Sequence, residues 1–371
     1  MRVLIVGGGV LGTMHAWQAL QRGHEVVQLE REPEARGASV RNFGLVWVSG
    51  RSDGAELDTA LRARELWAEL GAVVPDLGFR PAGSLTVLRT EAELAVARAF
   101  VDSGAAARRG TTLLDPEAAR LRNPALRGDF RAALWCERDG AVEPRTAQPA
   151  LRAHLTGTGR YTWLPGREAR ELTATGVRDD HGAHHGADLV LLCTGDRLGG
   201  FTREVAGELP LRRVRLQMMQ TDPLGEDFPT AVADADSLRY YPAYAGAELD
   251  ALRAHQPQPP VAAEYAMQLL VVQRRDGGLT IGDTHGYAEP FPFDTDEAPY
   301  AYLREVTESL LGRPLPTIRR RWAGVYAQSL TGAVVHRVQV AANAWVVAGP
   351  GGRGMTCSPA IAETTAEEAG L

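Results

Sequence analysis

Short apolar runs alternate along the chain with stretches whose apolar residues recur every three or four positions. Residues 2–6, RVLIV, form a β-branched run suited to a strand buried on both faces. In residues 10–22, Val10, Leu11, Met14, Trp17, Ala19 and Leu20 fall at helical spacing, and Gly23 stops the pattern. EVVQLE (25–30) reads as a second strand. ADLVLLCTG (187–195) is another buried strand ending in glycine. Residues 345–348 form a strand, 349–354 a glycine loop, and a helix continues through Glu368.

Between these ends the pattern predicts helices over 56–70, 91–104, 113–123 and 301–312, with Asp115 as an N-cap and Pro116 behind it. Residues 83–89 read as a strand. Residues 132–155 read as a strand, a turn at Asp139-Gly140, and a helix from about Pro144. The segments 211–224, 238–244, 267–275 and 278–285 are rich in strand formers and predict an antiparallel sheet. On such a strand Tyr240 and Tyr241 face opposite sides, and so do successive members of Arg319, Arg320 and Arg321. Residues 256–260 and 289–299 read as loops.

Composition narrows the class. A chain of 371 residues with 44% hydrophobic and 23% charged residues is an ordinary globular protein, not a disordered, collagen-like or coiled-coil one. A formal net charge of -6 gives no reason to recruit nucleic acid or an anionic membrane. All 40 basic residues are arginine, which excludes a Schiff-base lysine, pyridoxal-phosphate chemistry of the usual kind and a Walker A lysine. Three cysteines without a CxxC pair fit a reducing compartment. No apolar run approaches the roughly 18 residues that would span a bilayer. A strand starting at Arg2 leaves no room for a leader, so the expectation is a cytoplasmic enzyme.

GGGVLG at 7–12 contains GxGxxG between a strand and a helix. Gly7 allows the tight turn. Gly9 lets backbone approach a pyrophosphate on the helix N-terminus, and Gly12 lets the helix pack against the strand. Glu30, at the end of the second strand, can accept hydrogen bonds from ribose hydroxyls and repels a 2′-phosphate, favouring FAD or NAD over NADP. The second glycine segment, at the other end of the chain, suits a long two-ended ligand such as FAD. The N-terminus of its helix would face the flavin N1/C2 carbonyl region.

GGGVLG with Glu30, ARGASVRNFG (35–44), the CTG strand end and GPGGRGMTCSPA (349–360) together resemble the D-amino-acid oxidase/glycine oxidase superfamily. SVRNFG with Trp47, RYYPAY (239–244), LTIGDTH (279–285) and RRWAGVY (320–326) resemble a narrower subgroup linked to phosphonate catabolism. The resemblance implies an α/β fold: a glutathione-reductase-type, Rossmann-like FAD domain (1–80, 144–210, 322–371) interleaved with an α+β substrate domain on a mostly antiparallel sheet (81–143, 211–321). It implies non-covalent FAD, with Gly7, Gly9, Val10, Leu11, Glu30 and Arg31 on the ADP half. Ser39, Arg41, Asn42 and Phe43 would lie near the pyrophosphate and flavin, Gly195 near the ribityl chain, and Gly352, Arg353, Gly354 and Met355 at the flavin ring. Val177 or a neighbour would meet the adenine.

The implied reaction is oxidation of the C–N bond of a small anionic amine, with an aminophosphonate or its N-alkyl derivative as lead. Hydride passes to flavin N5 and the imine hydrolyses to an aldehyde. A glycine, sarcosine or D-amino-acid oxidase or dehydrogenase is the alternative, and a non-catalytic FAD-binding subunit is a third. His285, Tyr241, Arg321 and Arg353 are the candidate catalytic residues; His285 would bind substrate or handle protons, and arginine matches carboxylate and phosphonate oxygens. The absence of lysine leaves open whether oxygen or another acceptor takes the electrons. No nucleic acid, membrane or metal partner is expected, and a homo-oligomer is compatible with the reading. His184 and His185 lie in a polar hairpin without ligand spacing. Cys357 reads as a packing residue.

Overall fold

The computed structural model describes residues 1–371. Arg2–Val6 is the central strand of a six-stranded sheet, and Val3, Leu4 and Ile5 are fully buried because helices or strands cover both faces. Parallel neighbours flank it: Glu25–Glu30 and Tyr161–Pro165 on one side, Leu189–Leu192 and Ala344–Ala348 on the other. His336–Ala341 closes that edge antiparallel. The helix Val10–Gln21 follows the glycine turn as the spacing predicts. The terminal helix Gly354–Glu368 packs beside it and beside Ala55–Val73. Both ends of the chain therefore meet over one sheet.

A second, eight-stranded sheet runs in the order Ile318–Ser329, Leu211–Pro223, Gly278–Gly282, Leu270–Gln273, Ala231–Ala233, Ser84–Leu88, Ala132–Cys136, Thr111–Leu114. Every pairing is antiparallel except Ala231–Ala233 with Ser84–Leu88. The helix Pro116–Arg122 is capped as expected, the Asp115 side chain accepting from Ala118 N–H at 2.8 Å. No helix is long and apolar enough to cross a membrane.

Two expectations need correction. Residues 238–244 are not a strand. Asp236–Tyr240 is a short helix, followed by a 3-10 turn over Pro242–Tyr244. The Asp234 carboxylate accepts from Asp236 N–H and Leu269 N–H, both at 3.1 Å, which turns the chain there, and Pro242 brings no N–H for a ladder. Tyr240 and Tyr241 are thus neighbours at a helix end, their rings edge-on at 5.0 Å. The second correction concerns the return to the first sheet. Ile318–Ser329 pairs along its length with Leu211–Pro223, so a boundary at 322 would cut a strand, and the crossing falls after Ser329.

Candidate active site

A cavity of about 1220 Å3 lies between the two sheets and is lined at one end by the first glycine turn and at the other by aromatic side chains. That volume exceeds the usual 300–1,000 Å3 of a drug-sized pocket, as a dinucleotide with a substrate beside it requires. At the glycine end, Gly7 has φ 109°, and a Cβ there would lie 2.2 Å from the Cys193 carbonyl oxygen. A Cβ on Gly12 would lie 2.1 Å from the Gly7 carbonyl oxygen. The turn and the close helix approach therefore both require glycine. Gly12 itself lies beneath the turn and does not face the cavity.

Glu30 closes this end. One carboxylate oxygen accepts from Gly8 N–H at 2.7 Å and the other from Glu32 N–H at 3.0 Å. Each oxygen keeps a lone pair for a ribose hydroxyl. Ser39 Oγ accepts from Val10 N–H at 2.8 Å, so the loop after the second strand is fixed to the first turn of the helix. Gly195, at φ 66°, lines the floor beyond Cys193.

The terminal glycine segment joins the two ends of the cavity. A Cβ on Gly352 would sit 3.5 Å from Tyr326 Oη and 3.8 Å from Tyr240 Oη, so backbone and aromatic wall are in contact distance. Trp67 Nε1 donates to the Met355 and Thr356 carbonyls, both at 3.1 Å, and Trp47 N–H donates to Thr356 Oγ1 at 2.9 Å. These bonds hold the N-terminus of the 15-residue terminal helix, its positive end, at the cavity.

At the aromatic end Tyr240 stacks on His285 at 4.3 Å, and Tyr241 stacks on Trp47 at 6.0 Å. His285 Nδ1 lies 2.9 Å from the Ala266 carbonyl oxygen, which fixes the proton on Nδ1 and leaves Nε2 as the acceptor. Burial pulls the His285 imidazole down to about 4, so it is neutral across the working range. Burial also pushes the Asp283 carboxyl up to about 8, against a hydrogen bond from Gln268, so it is mostly protonated at neutral pH. Asp283 Oδ2 lies 3.9 Å from His285 Nε2. Trp47, Asp283 and Tyr326 line this end of the cavity, and their Nε1, Oδ1 and Oη atoms are buried behind its wall without a hydrogen-bond partner.

Beside them sits a buried ion-pair group. Glu56 lies 3.6 Å from Arg51 and 3.4 Å from Arg353. Arg51 Nε donates to the Trp47 carbonyl at 2.9 Å and its guanidinium lies 5.8 Å from the Tyr241 ring centre. Arg109, fully buried, donates to the Arg51 carbonyl at 2.6 Å and holds that loop in place.

The structure brings most sequence-predicted residues to this one cavity: Gly7, Gly9, Val10, Leu11, Glu30, Arg31, Ser39, Asn42, Phe43, Gly195, Tyr241, His285, Gly352, Arg353, Gly354 and Met355 all line it. Two do not. Arg41 turns outward and donates to the Ala323 carbonyl at 3.0 Å, latching its loop to the second sheet. Arg321 is exposed and pairs with Glu297 at 3.1 Å, because its strand position faces solvent. Val177 is buried inside the three-stranded sheet Ala169–Thr173, Gly176–Asp179, His184–Gly186, and Arg167, Glu168, Ala169 and Arg170 line the cavity in its stead. Arg51, Glu56, Gln268, Asp283 and Tyr326 were not singled out by the sequence. Asp283 and Tyr326 lie inside the quoted strings LTIGDTH and RRWAGVY, and no local signal marks Arg51 or Glu56. Cys357 is fully buried among Leu11, Val48 and Leu57, as a packing residue. No group of three or more His, Cys, Asp or Glu could hold a metal.

Comparison with known proteins accords with this geometry. The family described as FAD dependent oxidoreductase matches residues 2–368. The D-amino-acid oxidase of Streptomyces coelicolor is 31% identical over 297 residues, covering 75% of this chain and 80% of that protein. One chain of the opine oxidase of Rhizobium meliloti is 30% identical over 174 residues, 42% of this chain; the match spans only 45% of that relative's length. The crystal structure of glycine oxidase from Geobacillus kaustophilus superposes with a TM-score of 0.78 at 18% identity, covering 100% of this chain and 95% of that one, a likeness of fold. The cofactor of such a chain is FAD, and the residues present fit it. The glycine turn leaves room for a pyrophosphate, Glu30 has lone pairs for a ribose, and a helix N-terminus stands at the far end.

Proposed function

The chain belongs to the FAD dependent oxidoreductase family, and from that premise we propose that it oxidises the C–N bond of a small anionic amine. The product imine is hydrolysed by water to a carbonyl compound and an amine or ammonia. An aminophosphonate or its N-alkyl derivative is the lead substrate; glycine, sarcosine or a D-amino acid is the alternative, in keeping with the names of the relatives.

The observation that carries this reading is the set of unpartnered buried polar atoms at the aromatic end: Trp47 Nε1, Asp283 Oδ1 and Tyr326 Oη. Buried polar groups without partners are costly, and a ligand that shifts these cavity-lining side chains would supply the partners. The indole N–H, the phenol and the protonated carboxyl of Asp283 can all donate to an anion. Arg51 adds a guanidinium, and Glu56 balances one of the two positive charges of Arg51 and Arg353. Three donors suit the three oxygens of a phosphonate, whereas a carboxylate has two to satisfy; this favours the phosphonate reading.

Bound FAD supplies the two-electron acceptor. The chain's own residues do the rest by positioning. Neutral His285 offers Nε2 to a substrate N–H and orients the amine. With a proton affinity as low as about 4, it does not store the proton of an ammonium at neutral pH. The aromatic walls of Trp47, Tyr240 and Tyr241 exclude water around the reacting carbon.

Turnover with a dye acceptor tests the substrate class. The measurement is kcat/KM for 2-aminoethylphosphonate, its N-methyl form, glycine, sarcosine and D-alanine, with the amine product identified. The reading predicts that a phosphonate exceeds every amino acid by at least about tenfold, or about 1.4 kcal/mol of transition-state binding. A tenfold preference the other way replaces the lead by its alternative. No turnover of any amine sinks the proposal.

A further inference from the structure

A second cavity, of about 550 Å3, lies against the other side of the loop that carries Asn42, which lines both cavities. Its wall carries four arginines, Arg145, Arg274, Arg275 and Arg320, beside three carboxylates, Asp76, Glu143 and Asp276. Arg145, at the start of the 13-residue helix Pro144–Thr156, and Arg320, on the strand Ile318–Ser329, face this space, together with Arg274 and the partly exposed ring of Trp322.

The carboxylates nearby are already engaged. Glu143 pairs with Arg80 and lies 3.9 Å from Arg274; Asp76 pairs with Arg275 at 3.8 Å; Asp276 pairs with Arg319 at 3.5 Å. Arg319 and Arg321 each have an acid, whereas Arg320 between them, and Arg145, have none. Arg145 lies over the Trp322 ring at 4.9 Å; burial and then the repulsion of Arg320 lower its proton affinity, against the attraction of Asp276.

Arg274 supplies the independent observation. Its side chain is only 8% exposed. Two of its nitrogens donate to the Val142 and Phe43 carbonyls, at 3.2 and 2.8 Å, and its Nε has no partner. Arg274, two guanidiniums without a salt-bridge partner and the positive end of a helix border one space, and the unmet Nε of Arg274 lies just behind its wall.

We infer that this second cavity is an anion-binding site for a phosphate-type dianion, either inorganic phosphate or a phosphate monoester, separate from the substrate and cofactor cavity. Arg145 and Arg320 clasp the oxygens, Arg274 backs them, and the edge of the Trp322 ring, beneath the Arg145 guanidinium, borders the space left for the organic part of an ester.

Calorimetric titration of the FAD-loaded protein with inorganic phosphate and with phenyl phosphate, at constant ionic strength in chloride, tests this. Saturable binding is expected, weakened at least about tenfold in R145Q/R320Q. Tighter binding of phenyl phosphate than of phosphate identifies an ester as the ligand, and equal binding identifies the free ion. No binding to the wild type, or undiminished binding to the double variant, overturns the site. A second measurement needs no variant: phosphate should slow modification of Arg145 and Arg320 by phenylglyoxal, mapped by mass spectrometry, and leave Arg319 and Arg321 unchanged. Equal protection of all four, or of none, contradicts the proposal.

Discussion

His285 and Asp283 stand two positions apart on one wall, and burial moves them in opposite senses. The histidine binds its proton only below about 4, against an ordinary 6.5, and the carboxyl holds its proton up to about 8, against an ordinary 3.8. The depressed histidine contributes stability above 6.5 and loses it as pH falls toward 4. The raised carboxyl gives the folded chain more protons than the unfolded one between 3.8 and 8, so its contribution falls as pH rises through that window. Between pH 6.5 and 8 only Asp283 of this pair acts. We predict that the urea unfolding free energy of wild type falls relative to that of Asp283→Asn over that range, by up to about 1.4 kcal/mol per pH unit. A constant difference would show that Asp283 is ionised in the folded protein. Residue identity made His285 a visible candidate from LTIGDTH, but its neutral state comes from burial, which no string reveals. Arg51, Glu56 and Arg353 were harder still: their ion-pair group joins positions roughly three hundred residues apart, and only the last carried a local glycine-loop signal.

Among the elements, the strand–glycine turn–helix at the N-terminus was fully legible, because steric need for glycine and helical spacing act within a dozen residues. The stretch 238–244 was not. Its aromatic residues favour strands, but the Asp234 side chain and Pro242 impose a helix end and a turn. That turn places Tyr241 against Gly50, where a Cβ would lie 2.4 Å from the Tyr241 ring. Gly50→Ala therefore displaces the Tyr241 ring that stacks on Trp47. The expected outcome is a loss of about 1–3 kcal/mol in thermal unfolding, with weakened substrate binding and FAD affinity nearly kept, since Gly50 lies outside the cofactor half. Unchanged stability would mean that the Trp47–Tyr241 stack tolerates displacement.

Across the chain as a whole, one cavity is assembled from both termini and from both sheets. The glycine segments at 7–12 and 349–354 announced a two-ended ligand, and a mostly antiparallel second sheet followed from its strand formers. Which face of Ile318–Ser329 turned inward could not be read, because alternation fixes only that neighbours oppose one another; the register with Leu211–Pro223 sends Arg321 to solvent and Tyr326 to the cavity. Everything proposed for the reaction requires that this cavity hold FAD beside a site that oxidises an amine. Anaerobic mixing of the FAD-loaded protein with 2-aminoethylphosphonate, its N-methyl form, glycine, sarcosine and D-alanine, followed through the visible absorption band of the bound flavin, puts that requirement to the test. Loss of that band with at least one of these amines, with one amine consumed per FAD, is the expected result. A band unchanged by all five, in protein that chemical reductant still bleaches, would overturn the assignment of amine oxidation.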